Sequence, residues 1–345
     1  MGRVALITGI TGQDGAYLSQ LLLKEGYAVL GARRKQDASD TWRLAQLGIE
    51  RDIQFVELDL LDTPGIERIA ERYQPDEVYN LGGLSSVQHS FDRPLPIIDT
   101  NGLGAVRLLE AIRVHRRGAR YCQASSSEIF GAAGDVPLEE ESLLRPANPY
   151  GVSKALAHSM TGIYRSSHGI HASNAILFNH ESPLRGLEFV TRKVTATLAQ
   201  MARNIIPGPL VLGNLDARRD WGFAGDYVRG MWLMVQREDA ADFVLATGML
   251  HSVREFVATS AAFLGYDLVW EGKAEHEVGR DSATGKLLVA VSPEFYRPFD
   301  GCAPVGNAAL ARQALGWAPS VSFQELVAMM TSTDYDRSAN GAILY

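Results

Sequence analysis

The N-terminal stretch constrains the fold of this chain most. Val4-Ala5-Leu6-Ile7-Thr8 is a short apolar run, the pattern of a strand buried on both faces of a parallel sheet. It runs directly into Gly9-Ile10-Thr11-Gly12-Gln13-Asp14-Gly15, with a glycine at every third position. Residues 16–26 then carry apolar residues at helical spacing and close on Gly26, a C-cap signal. Strand, glycine turn and helix in that order let the backbone approach a ligand closely. They also aim the unpaired N–H groups of the helix N-terminus at it, which suits a dinucleotide pyrophosphate. Gly9, Thr11, Gly12, Gln13, Asp14 and Gly15 are therefore candidate cofactor-binding residues.

The pattern repeats along the first half of the chain. Strands are expected at 28–32, 53–58, 77–81, 120–125 and 173–178, with a helix over about 101–114. Such alternation predicts an α/β fold, a Rossmann-type doubly wound parallel sheet, with ligands at the carboxyl ends of its strands. Asp59, Leu60, Gly82, Ser126 and Asn179 all fall along that edge. The expected division is a dinucleotide-binding part over residues 1–178, with a returning segment near 223–250, and a smaller mixed α/β substrate part over 179–345.

The second strand discriminates between cofactors. It ends in Arg33-Arg34-Lys35, where a site for unphosphorylated ribose would place an acid. Arginine there accommodates a 2′-phosphate, so NADP is expected, with Arg33 and Arg34 as its ligands.

Residues 125–154 carry the reactive groups. Ser126 and Glu128 follow the fifth strand, and Tyr150 and Lys154 stand four apart, on one face of a helix. A nearby ammonium would lower the Tyr150 pKa and make the phenol a usable base near neutral pH. Ser126, Glu128, Tyr150 and Lys154 are the candidate catalytic residues. Downstream, Arg185, Arg192, Lys193, Arg219 and Arg297 suggest an anionic, diphosphate-bearing substrate.

A net charge of −7 argues against a nucleic-acid partner. No apolar run approaches the length of a membrane helix, and the chain starts directly in a strand, with no signal peptide pattern. The two cysteines, Cys122 and Cys302, lie far apart, and the eight His show no ligand spacing. A cytoplasmic protein with no metal, no disulfide and no membrane partner is expected.

Several stretches carry a resemblance. The glycine turn with Tyr-x-x-x-Lys near residue 150 resembles the extended short-chain dehydrogenase/reductase superfamily. Thr8 to Gly15, Gln74 to Gly82, Leu177-Phe178-Asn179-His180-Glu181-Ser182-Pro183 with Arg185-Gly186, Phe189 to Lys193, Arg219 to Gly222, Asp226-Tyr227-Val228 and Tyr296-Arg297-Pro298 resemble the GDP-mannose 4,6-dehydratase family. The resemblance runs from residue 2 to about 330. It implies that Leu81, Leu177 and His180 join Arg185, Tyr150 and Lys154 around NADP. Ser85, Asn179, Lys193, Arg219, Arg297 and Asp300 would join Ser126, Glu128 and Tyr150 around a nucleotide sugar. It further implies that Tyr150 takes the proton of the 4-hydroxyl, Ser126 bonds the 4-oxygen, and Glu128 removes the C-5 proton and helps water leave C-6. The polar loop from Arg34 to Arg43, which contains Trp42, would reach a neighbouring subunit in a tetramer, or in a smaller dimer.

The chain departs from the family at Leu84 and Ser86, where Gln and His are usual, and at Asp300-Gly301-Cys302. These changes leave the sugar open between GDP-mannose and a relative such as GDP-D-glycero-D-manno-heptose. A GDP-4-keto-6-deoxymannose reductase needs no second base such as Glu128, and a non-catalytic NADP-sensing protein needs no Tyr150 or Lys154. Residues 273–290 read as a polar insertion without assigned structure.

Overall fold

The computed structural model describes residues 2–37, 40–131, 136–296 and 304–341. Six strands follow the expected order: β1 (Val4–Thr8), β2 (Ala28–Arg33), β3 (Gln54–Glu57), β4 (Glu77–Asn80), β5 (Arg120–Ala124) and β6 (His171–Leu177). With the later strand Phe243–Leu245 they form one seven-stranded sheet. Every pairing in it is parallel, and the order is 243–245, β6, β5, β4, β1, β2, β3. The chain builds outward from β1 to β3, then crosses back to start β4 on the other side of β1. The strand order therefore reverses between β1 and β4, the place where such sheets open a crevice.

Apolar residues cover both faces of this sheet. On one face Ile7, Leu18 and Leu22 pack with Met231, Val235 and Trp317. These tie the helices Gln13–Lys24 and Ala224–Gln236 to the sheet. On the other face Leu6, Val78 and Tyr121 pack with Ile66, Leu108 and Ile112 of the helices Thr63–Tyr73 and Gly104–His115. The expected helix over 101–114 is two segments, since Ile98–Leu103 is wound as a π-helix before the α-helix begins.

A third core joins the helices Val190–Ala202, Val253–Phe263 and Phe323–Arg337 to a four-stranded sheet. Residues 273–290 have defined structure. They supply the strands Val278–Asp281 and Leu287–Val291 of that sheet, and Leu288 and Val289 are fully buried. The turn between these strands is polar and masks their apolar content in the sequence.

Two cation readings are corrected. Arg192 lies on a helix and not a loop, and is fully buried. Its guanidinium bonds Asp334 at 3.0 Å and the carbonyls of Pro183 and Arg185, so it is structural and not a phosphate ligand. Deleting one partner of such a buried pair costs about 3–5 kcal/mol, because the other charge is left uncompensated. The basic cluster from Arg113 to Arg120, which the sequence reads as the solvated end of the apolar helix before it, is one only in part. Arg116 pairs with Asp76 at 2.7 Å, and Arg120 donates to the carbonyls of Val235 and Arg237. Among the described residues no helix is long and apolar enough to cross a membrane.

Candidate active site

The crevice at the strand-order reversal is a cleft of about 320 Å³. Its walls include Gly9, Thr11, Gly12, Gln13, Asp14 and Gly15 from the glycine turn, and Arg33 and Arg34 from the end of β2. Asp59, Leu60, Leu81, Gly82, Ser85 and Arg185 also line it. Two of the glycines, Gly9 and Gly15, are sterically required. Gly9 has φ +69°, and a Cβ on it would stand 2.8 Å from the Gly82 backbone. A Cβ on Gly15 would stand 2.4 Å from the Gly9 carbonyl oxygen. The helix Gln13–Lys24 starts at Gly12 with no side-chain cap, so its first N–H groups open to this cleft.

Polar side chains brace the floor. Thr8 Oγ1 donates to Asn80 Oδ1 at 2.7 Å and accepts from the Gly82 N–H at 2.9 Å. His180 lies beneath, with Nδ1 2.7 Å from the Phe178 carbonyl oxygen and Nε2 2.9 Å from Asp14 Oδ2. Both neighbours are acceptors, so both ring nitrogens carry protons when Asp14 is ionised. Burial disfavours the imidazolium, but the Asp14 charge and hydrogen bond outweigh it and raise the His180 pKa. For Asp14 burial raises the pKa, and the His180 charge and hydrogen bond reverse that into a net lowering. Arg185 stacks on Phe189, and its Nε forms an ion pair with Glu181 Oε2 at 3.2 Å. Arg33 covers the Phe55 ring, and Arg34 pairs with Asp37 at 2.7 Å.

The candidate catalytic groups gather beyond β5. Ser126, buried, caps a short turn by accepting from the Glu128 N–H at 3.2 Å. The helix Pro149–His168 carries Tyr150 and Lys154. Asn148 holds the two parts together. Its Oδ1 caps that helix, accepting from Gly151 N–H at 2.8 Å, and its Nδ2 donates to Glu128 Oε2 at 2.8 Å. Sequence reasoning missed Asn148, although Asn before Pro at a helix start is a readable cap signal.

The expected electrostatics are corrected. Lys154 Nζ turns to the Ala124 carbonyl oxygen at 2.8 Å and lies 5.8 Å from the Tyr150 ring centre. Burial pushes the Tyr150 phenol up to about 12, opposed chiefly by hydrogen bonding from Ser126. Burial lowers Lys154 to about 8. The pair was expected to make the phenol acidic, but desolvation of both groups dominates.

Other expected substrate residues sit on separate elements. Asn179 starts the strand Asn179–Glu181, Lys193 lies on the helix Val190–Ala202 near the Phe295 ring, and Arg219 lies in the strand Arg218–Arg219 opposite His251. Leu177 ends β6 and belongs to the core beneath the cleft. Arg297 and Asp300, with Gly301 and Cys302, lie outside the described residues. Ser86 caps the helix Val87–Asp92 by accepting from the His89 N–H at 3.1 Å. Two further buried polar residues escaped the sequence reading. Asn101, in the π-helix, bonds both backbone groups of Leu84 at 2.8 and 3.0 Å. Asp220 accepts from Thr247, Gly248 and Gly306. Among the described residues no cluster of His, Cys, Asp and Glu could hold a metal ion.

A doubly wound parallel sheet with a glycine turn at its reversal point and a Ser, Tyr, Lys group beside it defines the short-chain dehydrogenase/reductase class of fold. The protein-family profile for GDP-mannose 4,6 dehydratase matches residues 6–330. The GDP-mannose 4,6-dehydratase of Sinorhizobium fredii (strain HH103) is 44% identical over 341 residues, covering 96% of each chain. The enzyme of that name from Homo sapiens is 43% identical over 345 residues, covering 97% of this chain and 92% of its own. The chain belongs to the GDP-mannose 4,6-dehydratase family. Among solved structures, dTDP-glucose 4,6-dehydratase from Bacillus anthracis, in complex with NAD, superposes with a TM-score of 0.80 at 16% identity, covering 99% of each chain. RMD from Pseudomonas aeruginosa, complexed with NADPH, gives 0.77 at 21% identity, covering 97% of this chain and 99% of its own.

The Lys154 ammonium is charged below its pKa of about 8 and neutral above it. NMR titration of its ε-group should therefore show a midpoint near 8. A midpoint at the ordinary 10.5 would refute burial as the dominant influence.

Proposed function

We propose that the chain converts GDP-D-mannose to GDP-4-keto-6-deoxy-D-mannose, as an NADP-dependent 4,6-dehydratase. The observation that carries this reading is Glu128: Asn148 holds it at the head of the helix bearing Tyr150 and Lys154, beside Ser126. A second base at that place is what elimination from C-5 and C-6 requires, and a simple ketone reductase has no use for it. The glycine cradle, the open helix N-terminus and the two arginines at the end of β2 fit NADP.

When bound, NADP would supply the hydride acceptor for C-4 and the hydride donor for C-6, so no net oxidation occurs. Tyr150 as phenolate takes the proton of the 4-hydroxyl, and Ser126 hydrogen-bonds the 4-oxygen. Lys154 would hold the nicotinamide ribose. Glu128 removes the C-5 proton, acidified by the 4-keto group, and gives it to the departing 6-hydroxyl, which leaves as water. The proton that Tyr150 took from the 4-hydroxyl is delivered to C-5, which restores the phenolate and completes the product. Gly9, Thr11, Gly12, Gln13, Asp14, Gly15, Arg33, Arg34, Asp59, Leu60, Leu81, Gly82, Leu177, His180 and Arg185 serve the cofactor in this reading. Ser85, Asn179, Lys193, Arg219, Arg297 and Asp300 serve the nucleotide sugar. The division at residue 178, with 223–250 returning to the first part, and a cytoplasmic location belong to the same proposal.

Glu128→Gln tests the chemistry. The amide keeps the shape and cannot take a C-5 proton, so rapid mixing with GDP-mannose should build NADPH absorbance without 6-deoxy product. Tyr150→Phe should give neither signal. Turnover of Glu128→Gln near the wild-type rate would remove the dehydratase assignment.

Cofactor choice is tested by titration. Arg33→Ala/Arg34→Ala should weaken NADP binding by about 10–100-fold, as expected for losing charge-assisted phosphate bonds, and leave NAD binding nearly unchanged. Equal wild-type affinities for NADP and NAD would overturn the choice.

A tetramer, with a dimer as the smaller alternative, completes the proposal. The resemblance supports it through the loop over 34–43. In the single chain Arg43 donates to the carbonyls of Leu184 at 2.7 Å and Thr11 at 3.0 Å, which fixes the base of that loop beside the glycine turn. Light scattering with NADP present should show more than one chain per particle, and a monomer at micromolar concentration would refute assembly.

A further inference from the structure

His158 takes no part in the proposed chemistry, yet it stands one helical turn beyond Lys154. Tyr150, Lys154 and His158 are spaced four apart, so they lie along one face of the helix Pro149–His168. That face meets the end of β5. Lys154 Nζ donates to the carbonyl oxygen of Ala124 at 2.8 Å. His158 Nδ1 lies 3.2 Å from the hydroxyl of Ser125, which is only 2% exposed. The next residue, Ser126, faces Tyr150. Three consecutive residues at the strand end are thus matched to three successive turns of the helix.

His158 is itself anchored. Its backbone carbonyl accepts from Asn174 Nδ2 at 3.1 Å, and the same amide donates to Asp242 Oδ1 at 3.1 Å. Asp242 is held by Arg165 at 2.6 and 3.0 Å and by the Asn174 N–H at 2.9 Å. The Ser125, His158 and Asp242 trio does not have the geometry of a nucleophilic triad. Ser125 is enclosed, Asp242 is committed to Arg165, and His158 Nε2 stands 3.9 Å from the carboxylate. What the trio can do is fix the position of a strand end.

We propose that His158 is a positioning residue. By bonding Ser125 it locks the end of β5 in register with the helix, and so sets Ser126 opposite Tyr150. This rests on the reading of Ser126 and Tyr150 as reacting groups. Misplacement of such groups by an ångström costs rate and not binding.

His158→Phe keeps the ring bulk and removes the hydrogen bond. His158→Asn offers an amide near the position of Nδ1. In His158→Phe, amide hydrogen exchange of residues 125–128 should accelerate about tenfold, because the strand end opens more often. With GDP-mannose, kcat should fall about tenfold while KM and NADP affinity stay within about threefold. His158→Asn should restore both signals. Ser125→Ala should match His158→Phe, and the double variant should be no worse than either single. Should His158→Phe fail to fold, Ser125→Ala reads the same contact. Unchanged exchange overturns the proposal, and so do additive losses in the double variant or a loss confined to KM. A wild-type protein that makes no 4-keto product would defeat the proposed function, and the exchange measurement would still decide the role of His158.

Discussion

The close approach of two backbone turns governs this structure. Gly9 at the end of β1 and Gly82 after β4 touch so closely that neither contact leaves room for a side chain on Gly9. The contact lies where the strand order reverses, and Thr8 clamps it through Asn80 and the Gly82 N–H. From there the polar chain continues across the sheet, since Asn80 Nδ2 donates to Gln123 Oε1 at 2.9 Å. β1, β4 and β5 are thereby tied at their carboxyl ends. The glycine turn starts from the first of these strands, and Ser126 and Glu128 follow the last. One hydrogen-bonded row thus sets the cleft and the reactive edge in a common frame.

Burial works against ionisation throughout this edge. It pushes Tyr150 up to about 12 and Lys154 down to about 8, toward the neutral form of each. The exception is Asp14 with His180, where the charges lie 2.9 Å apart and stabilise one another. A phenolate at Tyr150 therefore depends on positive charge brought close to it and on the Ser126 hydrogen bond, more than on Lys154 alone. Asn148 contributes by another route. One amide caps the helix and holds Glu128, so forming the helix also positions that carboxylate.

Much of this was legible in the sequence because periodicity and glycine placement carry local constraints. The strand–turn–helix start, the alternation through β6 and the cleft residues from Gly9 to Arg34 follow from patterns shorter than about twenty residues. What escaped depended on long-range partners. Arg192 resembles any surface cation until Asp334, far along the chain, closes over it. Residues 273–290 look polar because their turn is polar, while Val289 and Ala290 pair with Leu210 and Val211 far upstream. The electrostatics of Tyr150 escaped for the same reason. Spacing along a helix gives proximity, but desolvation depends on everything packed above it.

The departures from the family pattern can be weighed in the same terms. Ser86 spends its hydroxyl as a helix cap, so a position usually held by His serves folding in this chain. Leu84 is held by its backbone, both groups of which bond Asn101, and the residue forms part of the cleft wall. Neither change touches Ser126, Glu128, Tyr150 or Lys154. A replacement at the wall alters which ligand shapes fit, through contact and desolvation, and leaves the proposed proton-transfer groups in place. The departures therefore bear on the choice among related nucleotide sugars and not on the class of reaction. The elimination chemistry stands or falls with Glu128.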